Sequence, residues 1–481
     1  MNFICRKHSV GTSLFYFASE MKFFFCIVFF FVLLSPLRAQ VAKDSSGEAD
    51  SLLLRANQPL AERTAAPSFP DSALHVSKII IAGNEKTKNF VIEREMSLKV
   101  GSLITRRAVA YDINRIYSLR LFNRVDIQVI PDSTTATLLV LVNERWFFYP
   151  FPIVGLKDHL WSHLYYGAGL VHSNFRGRNE QLYAQFALGY DPFVSLQYVN
   201  PLIEPEWNLF LNTKFQYGSV KNKSLISLEN GPEFDERHLD GEVIIGKRLS
   251  LFSTATASIE YTTITVSDNR AGRTLSPSGT DSYFSFNATY GYDTRDLGEY
   301  PGYGTLLSLG ASKLGFGQSE VNYQRYDVDY RRYIPTVWGI VLAGRLFGSA
   351  VQGGLVPNYG HVYYGYNERI RGRFKTVEEG ENIAGGNMEL HIPIISPSYL
   401  RIEQIPIEQF RVVRYALYFA LFADGGNVWY RNDPLALDRI LGGYGFGLHF
   451  LLSYSAVGRI EYAFPGRAGN GELLLDIGAA F

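Results

Sequence analysis

The residues that could carry out catalysis or bind a metal are few, and their spacing fits no common active site. His159 and His163 lie four positions apart, with His172 further along. That spacing binds a metal when both imidazoles share one helix face, and no helix is predicted there. Asp293 and Asp296 are better explained as turn residues than as an acid pair. The sequence has no Gly-x-Ser-x-Gly, P-loop or HExxH motif, so it predicts no enzyme, no cofactor and no metal site.

Charged residues instead alternate with apolar residues along short segments. In one segment Arg325, Asp327, Asp329 and Arg331 alternate with tyrosine and valine. A period of two predicts a β-strand with a polar face and an apolar face. The pattern recurs throughout residues 150–481, between connections rich in Gly, Pro, Asn and Asp. This region is therefore predicted to be almost entirely β.

Two architectures could produce this alternation, a soluble all-β domain or a transmembrane barrel. The polar faces carry charges of both signs, which suits a wet lumen, while lipid would contact the apolar faces. Aromatic residues make up 15% of the chain and charged residues 19%, which also favours the barrel. The net charge is zero, so no nucleic-acid partner is expected. At about 20 residues per strand and connection, we predict a mainly β fold with an antiparallel barrel of roughly 16 strands.

The amino terminus has the pattern of an export signal. An apolar run from Phe23 to Leu34 is too short for a spanning helix, which needs about 20 apolar residues, and fits a signal peptide. We expect residues 1–39 to be removed, with Met21 as an alternative true start. Residues 40–75 lack periodicity and are predicted to form a flexible linker. The chain has two cysteines, Cys5 and Cys26, and both precede residue 40.

Residues 76–145 are predicted to form a small domain of order β-α-α-β-β. The first strand begins at Val76 and ends at a Gly83-Asn84 turn, and Thr87 is predicted to cap the first helix. A second helix starts near Thr105, with apolar residues at i, i+4 and i+7 on one face. Two further strands close the domain, the first of them from Val125 to Val129.

This domain resembles a POTRA domain, a periplasmic module that binds polypeptides. The resemblance depends on the Gly83-Asn84 turn, Gly101 between the helices, Leu121-Phe122 before the second strand, and Glu144 at the end of the third. With the barrel that follows, the chain resembles the BamA/TamA-like outer-membrane assembly superfamily. The resemblance covers about residues 76–481 and implies a barrel in the outer membrane with the POTRA domain in the periplasm.

The most specific part of this resemblance is a loop that folds back into the barrel. The superfamily motif is an aliphatic residue, Arg, Gly and an aromatic residue. Ile370, Arg371 and Gly372 match it, whereas Arg373 intervenes before Phe374. A guanidinium inside a barrel is costly unless it is paired, and its planar fork suits carboxylates. Arg371 is therefore expected inside the lumen.

The resemblance also implies which carboxylates hold this arginine. The positions that match the acidic residues of the superfamily are Glu389 and Asp424. Counting in twos places Glu389 on the polar face of its strand, opposite to Met388 and Leu390. We therefore expect Arg371 to contact Glu389, Asp424 or both.

Strand edges provide the second functional expectation, because an unpaired edge is a template for another strand. In the POTRA-like domain the expected edge comprises Val125, Ile127 and Val129. In the barrel, the closing strand is expected to form a weak seam with a first strand near residues 165–172, where glycines would weaken packing. The residues assigned to the seam and the terminal sorting signal are Gly167, Gly169, Leu473, Leu475, Ile477 and Phe481.

Together these features predict a factor that inserts proteins into the outer membrane. The POTRA domain would capture unfolded outer-membrane polypeptides, and the seam and a locally thinned lipid bilayer would ease their insertion. Periplasmic chaperones or accessory lipoproteins are possible further partners. Two alternatives stay open: a pore for polypeptide secretion of the two-partner type, and a passive porin-like channel.

Overall fold

The computed structural model describes residues 74–132, 134–157, 161–204, 206–250, 252–298, 300–316, 320–366, 368–374, 376–401, 412–433, 439–452, 456–466 and 469–477. The predicted signal peptide, the alternative start at Met21 and the linker up to residue 73 lie outside the described residues, as does Phe481.

The N-terminal domain is a three-stranded sheet covered by two helices. Its elements are β1 (His75–Ala82), α1 (Asn89–Glu93), α2 (Arg106–Ser118), β2 (Phe122–Asp132) and β3 (Thr135–Glu144). β3 is central, parallel to β1 and antiparallel to β2. The predicted apolar face of α2 packs on the sheet and closes one core, which contains Val76, Val91, Val109, Ile113, Ile116, Ile127, Leu138 and Val140.

One of the two predicted helix caps differs from the structure. The hydroxyl of Thr105 accepts a hydrogen bond from the N–H of Ala108 at 3.1 Å and caps α2 as predicted. The cap position of α1 is Lys88, and no side chain bonds there. Thr87 was wrongly assigned to this role, because it is buried and bonds to Asn174 of the barrel instead.

The second unit is one antiparallel sheet of 16 strands, which confirms the predicted strand number. Neighbours in sequence pair throughout, except that β14 pairs with β17 across a two-stranded hairpin made of β15 and β16. A short helix, α3 (Leu225–Glu229), follows β8. The strands are β4 (Phe148–Leu156), β5 (Leu164–Phe175), β6 (Glu180–Gly189), β7 (Phe193–Glu204), β8 (Leu209–Lys221), β9 (Asp235–Arg248), β10 (Ser253–Val266), β11 (Thr280–Asp293), β12 (Gly304–Leu314), β13 (Tyr323–Pro335), β14 (Val341–Gly353), β15 (Val362–Tyr364), β16 (Glu378–Gly380), β17 (Asn382–Arg401), β18 (Val412–Trp429), β19 (Leu441–Leu452), β20 (Ala456–Pro465) and β21 (Glu472–Ile477).

The two faces of this sheet have opposite chemistry. On β17, Met388 is 60% exposed, whereas the next residue, Glu389, is 1% exposed. The outer face carries exposed Phe, Leu, Ile, Val and Tyr, and the inner face carries buried Asp, Glu, Arg, His and Asn. An apolar outside and a polar inside are what a strand wall between lipid and a lumen requires. Among the described helices, none is long and apolar enough to cross a membrane.

Antiparallel alternation gives the barrel two distinct ends. The turn between β5 and β6 contacts the N-terminal domain, and we call this the near end. The β11–β12 and β13–β14 turns lie at the same end. The connection between β14 and β17, residues 354–381, lies at the far end and is called the returning loop.

Candidate functional site

The returning loop enters the lumen and packs against the inner face of β17 and β18. Ile370 is 3% exposed and lies in a cluster with Val362, Tyr364 and Ile383. The hydroxyl of Tyr364 donates to the carbonyl of Ala384 at 3.0 Å. A β-carbon at Gly385 or at Gly426 would overlap this hydroxyl, so the glycine pairs of the two strands make room for the tyrosine.

Arg371 is held by three buried carboxylates. Its Nε and Nη2 donate to the two carboxylate oxygens of Asp424 at 2.7 and 2.6 Å. Its Nη1 donates to Glu389, and to Glu461 at 3.0 Å. The guanidinium carbon lies 3.7 Å from the centre of the Phe422 ring. The structure thus brings together the three residues that the resemblance implied, and it adds Glu461.

Strand geometry explains why these carboxylates converge. Glu389, Asp424 and Glu461 lie on β17, β18 and β20, each at a position whose side chain faces the lumen. Glu461 alternates with Arg459 along β20 in the same period of two. Its position on the polar face was therefore readable from the sequence, but only the pairing order places it beside Arg371.

Between β18 and β20, the lumen face of β19 is built from glycine. Gly443, Gly445 and Gly447 alternate along the strand and leave a groove. A β-carbon at Gly443 would overlap the carbonyl oxygen of Arg371. The loop therefore approaches to backbone contact, which only glycine permits. Sequence reasoning missed this signal, although three alternate glycines in one strand indicate close approach by another backbone.

We expect Gly443→Ala to displace the returning loop. Overpacking a close backbone contact costs about 1–3 kcal/mol, and here the tip of the loop must move. Thermal unfolding in detergent should shift to lower temperature, and a protease added from the far end should cut the loop faster. Gly458→Ala is the matched control, because nothing lies within 4 Å of a β-carbon at that position. Equal behaviour of the two variants would contradict the groove.

The residues after Arg371 connect the loop to the last described strand. Gly372 has φ +85°, and a β-carbon there would overlap the backbone of Phe464. The Nε of Arg373 donates to the carbonyl of Gly442 at 3.1 Å. The N–H of Phe374 donates to the carboxylate of Glu472 on β21 at 2.9 Å. The ring of Phe374 lies under Arg369, with 4.4 Å from the guanidinium carbon to the ring centre.

A second layer of contacts lies below Arg371, towards the near end. The Nε2 of His391 lies 2.7 Å from Glu389, and the Nε2 of His449 lies 3.1 Å from Glu461. The hydroxyl of Tyr300, from the β11–β12 turn, lies 3.0 Å from the Nδ1 of His449. The ring of Tyr300 also stacks on His391, with 4.4 Å between the ring centres. The sequence had assigned no role to these three residues.

Glu389, His391 and His449 have donor atoms within 4.8 Å of one another, a set that suits a metal by atom type. Arg371 already contacts Glu389 and bridges to Glu461. A metal ion would lie against this guanidinium, and two like charges in a buried site repel strongly. We therefore interpret the cluster as a hydrogen-bonded network.

The far end of the barrel is covered by loops that meet at Glu379. Its carboxylate accepts hydrogen bonds from the hydroxyl of Ser224 at 2.7 Å and the N–H of Leu225 at 2.6 Å, and lies 2.6 Å from the Nδ1 of His361. Burial acts to raise the pKa of Glu379, but the bonds from His361, Ser224 and the backbone outweigh it and hold the pKa below its ordinary value. The ionised form of Glu379 thus ties the returning loop to the start of α3.

We expect this cover to loosen in acid. A carboxylate whose pKa is lower in the folded state contributes stability above its ordinary pKa, and that stability is lost as the pH falls through the folded-state value. Hydrogen exchange of residues 354–366 should therefore accelerate below about pH 4.5, the ordinary pKa of a glutamate. Tyr363, Tyr430 and Glu236 also face this carboxylate. Glu379→Gln should show fast exchange at neutral pH, whereas Glu378→Gln, on the exposed neighbour, should not.

The N-terminal domain is joined to the near end by direct bonds. The Nδ2 of Asn174 donates to the hydroxyl of Thr87 at 2.9 Å, and the N–H of Lys88 donates to the carbonyl of Gly177 at 2.8 Å. The N–H of Thr87 donates to Glu144 at 2.6 Å. Residues 174–179, Asn-Phe-Arg-Gly-Arg-Asn, at the end of β5 and in the turn to β6, thus form the contact surface for the domain. The domain lies beside the first strands of the barrel.

The expected edge of the N-terminal domain lies on β2, an outer strand of its sheet. The N–H of Arg145 donates to the carbonyl of Leu121, which fixes the residues of β3 that bond to β2. After the bulge at residues 122–124, alternation directs the backbone groups of Val125, Ile127 and Val129 away from β3. Their side chains point into the core.

The end strands of the barrel sheet are β4 and β21. The assignment of Gly167 and Gly169 to the seam is wrong, because they lie on β5, which pairs on both sides with β4 and β6. A β-carbon at Gly169 would overlap the ring of Phe151, so this glycine makes room for an inward aromatic residue. Leu473 and Leu475 of β21 are 63% and 65% exposed on the outer face. Ile477 is the last described residue, and its side chain is not described.

Proline explains why β4 escaped sequence analysis. The N–H of Ser173 donates to the carbonyl of Phe147, so alternate residues from Phe147 onward bond to β5. Pro150 and Pro152 belong to the alternate set. Their nitrogen atoms therefore point, in the plane of the sheet, away from β5 and towards the other edge of β4. Proline is confined to such positions because it has no N–H to donate.

Two family models match the chain. One is described as the Omp85 superfamily domain and matches residues 174–473. The chain belongs to the Omp85 superfamily. The other is a POTRA model described as a surface antigen variable number repeat, and it matches residues 74–145. No curated protein matches this Omp85 chain in sequence.

Solved structures share the fold of this Omp85 protein. BamA from Haemophilus ducreyi lacking POTRA domains 1–3 is 18% identical, with a TM-score of 0.60, over 84% of this chain and 83% of that chain. CdiB from Acinetobacter baumannii is 13% identical, with a TM-score of 0.52, over 84% and 72%. CdiB from Escherichia coli is 11% identical, with a TM-score of 0.52, over 92% and 100%.

Family and fold together confirm the predicted location. This Omp85 protein is an outer-membrane barrel with a periplasmic POTRA domain, so the near end is periplasmic and the far end is extracellular. Its family fits polypeptide insertion into, or translocation across, the outer membrane. Members of the family are barrel proteins of assembly and transport without enzymatic activity.

Proposed function

We propose that this protein inserts other polypeptides into the outer membrane. Its POTRA domain captures unfolded outer-membrane polypeptides, and the seam between β4 and β21 admits them to the bilayer. The observation that carries the proposal is the pair of end strands, one of which has two prolines on its outer side. The superfamily membership supports the same class of activity.

The seam is weak because β4 lacks two backbone N–H donors along its outward edge. β4 has nine residues, and two of the five whose backbone groups face outward are prolines. Each proline removes one N–H donor, and a hydrogen bond contributes about 1 kcal/mol net. A neighbouring strand therefore bonds less tightly to β4 than to any strand without proline. This weakness suits a wall that must open and close without an external energy source.

Capture and insertion occur on the same side of the molecule. The POTRA domain is bonded to the β5–β6 turn, next to β4 in the sheet. Its outer strand β2 has backbone groups that can extend a sheet with an incoming strand. A polypeptide bound there arrives close to the seam. The folding of the client in the bilayer supplies the driving force, so no nucleotide is required.

The covered lumen speaks against a passive channel. Glu379 ties the returning loop to the loop that contains α3. Asn358 donates to the hydroxyl of Ser227 in α3 at 2.7 Å, and Tyr359 donates to Asp281 at 2.8 Å, which also joins the returning loop to β11. Open diffusion through the barrel would require these bonds to break.

Depletion of the protein tests the proposal. The abundance of outer-membrane barrels should fall within a few generations, while their unfolded forms accumulate in the periplasm. Re-expression of the full chain should restore them. Unchanged barrel levels would contradict insertion. Loss of one secreted polypeptide with all barrels intact would instead identify the protein as a secretion pore of the two-partner type.

A further inference from the structure

We propose that Tyr300 is a positioning residue that fixes the acceptors of Arg371 from the periplasmic side. The bonds that hold Arg371 of the returning loop would then depend on the position of the β11–β12 turn. The inference rests on the proposed function for its biological meaning, but its structural part is tested separately below.

The turn that carries Tyr300 is internally braced. The Nε and Nη2 of Arg295 donate to the two carboxylate oxygens of Asp293 at 3.0 and 2.9 Å. Asp296 accepts from the N–H of Gly302 at 2.9 Å. These bonds give a role to residues 292–296, Tyr-Asp-Thr-Arg-Asp, at the end of β11 and the start of the turn. They fix the described residues of the turn relative to one another, so Tyr300 is presented in a defined direction.

Tyr300 crosses the lumen to strands that are distant in sequence. It is 7% exposed and lies in an apolar cluster with Ala416, Leu451 and Val457. Its ring lies 4.9 Å from the ring of Tyr418. This contact joins the β11–β12 turn to β18, β19 and β20, which lie several strands away around the wall. An aromatic side chain packed in this way anchors the turn to these strands.

The contacts of Tyr300 and Arg371 close into one ring. Arg371 bonds to Glu389, and Glu389 to His391. His391 stacks on Tyr300, whose hydroxyl bonds to His449. His449 bonds to Glu461, which returns to Arg371. Each imidazole thus contacts a carboxylate through Nε2 and also contacts the tyrosine, which stacks on the face of His391 and bonds to the Nδ1 of His449.

The ring shows how a periplasmic residue controls an extracellular loop. Without Tyr300, His391 loses its stacking partner, His449 loses the bond to its Nδ1, and both imidazoles gain rotational freedom. Glu389 and Glu461 then no longer aim at one point. Asp424 remains, so the arginine is retained but less narrowly oriented. Tyr300 therefore fixes the orientation of the Arg371 guanidinium among its carboxylates, and it leaves the charges of this site unchanged.

Distances between spin labels, measured on the full chain in lipid nanodiscs, test directly whether Tyr300 positions the returning loop. Labels are placed at Glu378→Cys on the returning loop and at Glu320→Cys on an extracellular connection, both exposed. Tyr300→Ala should broaden the distance distribution. Tyr300→Phe keeps the stacking and loses only the hydroxyl bond, so it should fold and broaden the distribution less. Tyr303→Ala is the control, because Tyr303 lies on the same turn and is 57% exposed.

Insertion kinetics supply the second readout. Tyr300→Ala should slow insertion of a purified unfolded barrel into liposomes by about tenfold, and Tyr300→Phe by about fivefold or less. The double variant with Arg371→Ala should be no slower than Arg371→Ala alone, since both act through one ring. An unchanged distance distribution in both Tyr300 variants would overturn the inference, as would additive effects on insertion. A broadened distribution with normal insertion would support the positioning and contradict its effect on the insertion rate. If the wild-type chain inserts no barrel while Tyr300→Ala still broadens the distribution, the positioning holds and the proposed function fails.

Discussion

Replacing Arg371 with alanine is expected to reduce insertion to a small residual rate and to release the returning loop. The change leaves Glu389, Asp424 and Glu461 buried without their cation. Removal of one partner from a buried ion pair costs about 3–5 kcal/mol, because an uncompensated charge remains. Cells that depend on this variant should show the same loss of outer-membrane barrels as depleted cells. Unfolding in detergent should occur at a clearly lower temperature than in the wild type.

Two further variants separate charge from geometry. Arg371→Lys keeps the positive charge but lacks the planar fork that bonds to both oxygens of Asp424, so it should recover only part of the activity. Arg373→Ala is the matched control, since Arg373 makes one bond to the carbonyl of Gly442. Wild-type insertion and stability in Arg371→Ala would show that the three carboxylates do not need their cation.

Replacing Pro150 and Pro152 together with valine is expected to strengthen the seam and to slow insertion. The change restores two N–H donors on the outer side of β4. Two hydrogen bonds at about 1 kcal/mol each correspond to a factor of roughly 30 in the equilibrium between open and closed seam. Liposome assays should show slower insertion, and the purified barrel should resist unfolding at higher temperature. The slower insertion and the higher unfolding temperature should appear in the same variant.

Pro201→Val provides the control for this experiment. Pro201 lies on β7, where the register with β8 is irregular, away from the end strands. Valine there should change neither the insertion rate nor the unfolding temperature by more than a small amount. If the double β4 variant inserts as fast as the wild type, the outer edge of β4 does not limit the reaction.

The large features of the fold could be predicted because they depend on local pattern. The period of two in residues 325–331 and its repeats specify strands with an apolar and a polar face, whatever their pairing. The β-α-α-β-β order follows from the face of α2 and from the turns around it. Glu389 was placed on the inner face by counting from Met388, and the structure has it buried there.

The features that were predicted wrongly or missed depend on which strands become neighbours in the sheet. β4 has two prolines, so it did not resemble a strand, and the seam was assigned to β5 in its place. Tyr300, His391 and His449 are far apart in sequence and meet only once the sheet closes around them. Glu461 shares its strand pattern with other lumenal residues, so nothing local distinguishes it. Backbone contact at Gly443 likewise depends on the position of Arg371, which lies 72 residues earlier (443 − 371).

The height of the barrel wall changes sharply around its circumference. β17 has 20 residues, whereas β4 has nine, and five strand spacings separate them when counted across the proposed β4–β21 seam, roughly 25 Å along the wall. Lipid chains beside this part of the protein must match a tall surface and a short one within a few molecular widths. Such hydrophobic mismatch costs a fraction of a kcal/mol per Å. We therefore expect elastic stress in the surrounding leaflets beside the end strands. Under the proposed function, a hairpin that enters there relieves stress that the protein itself has imposed.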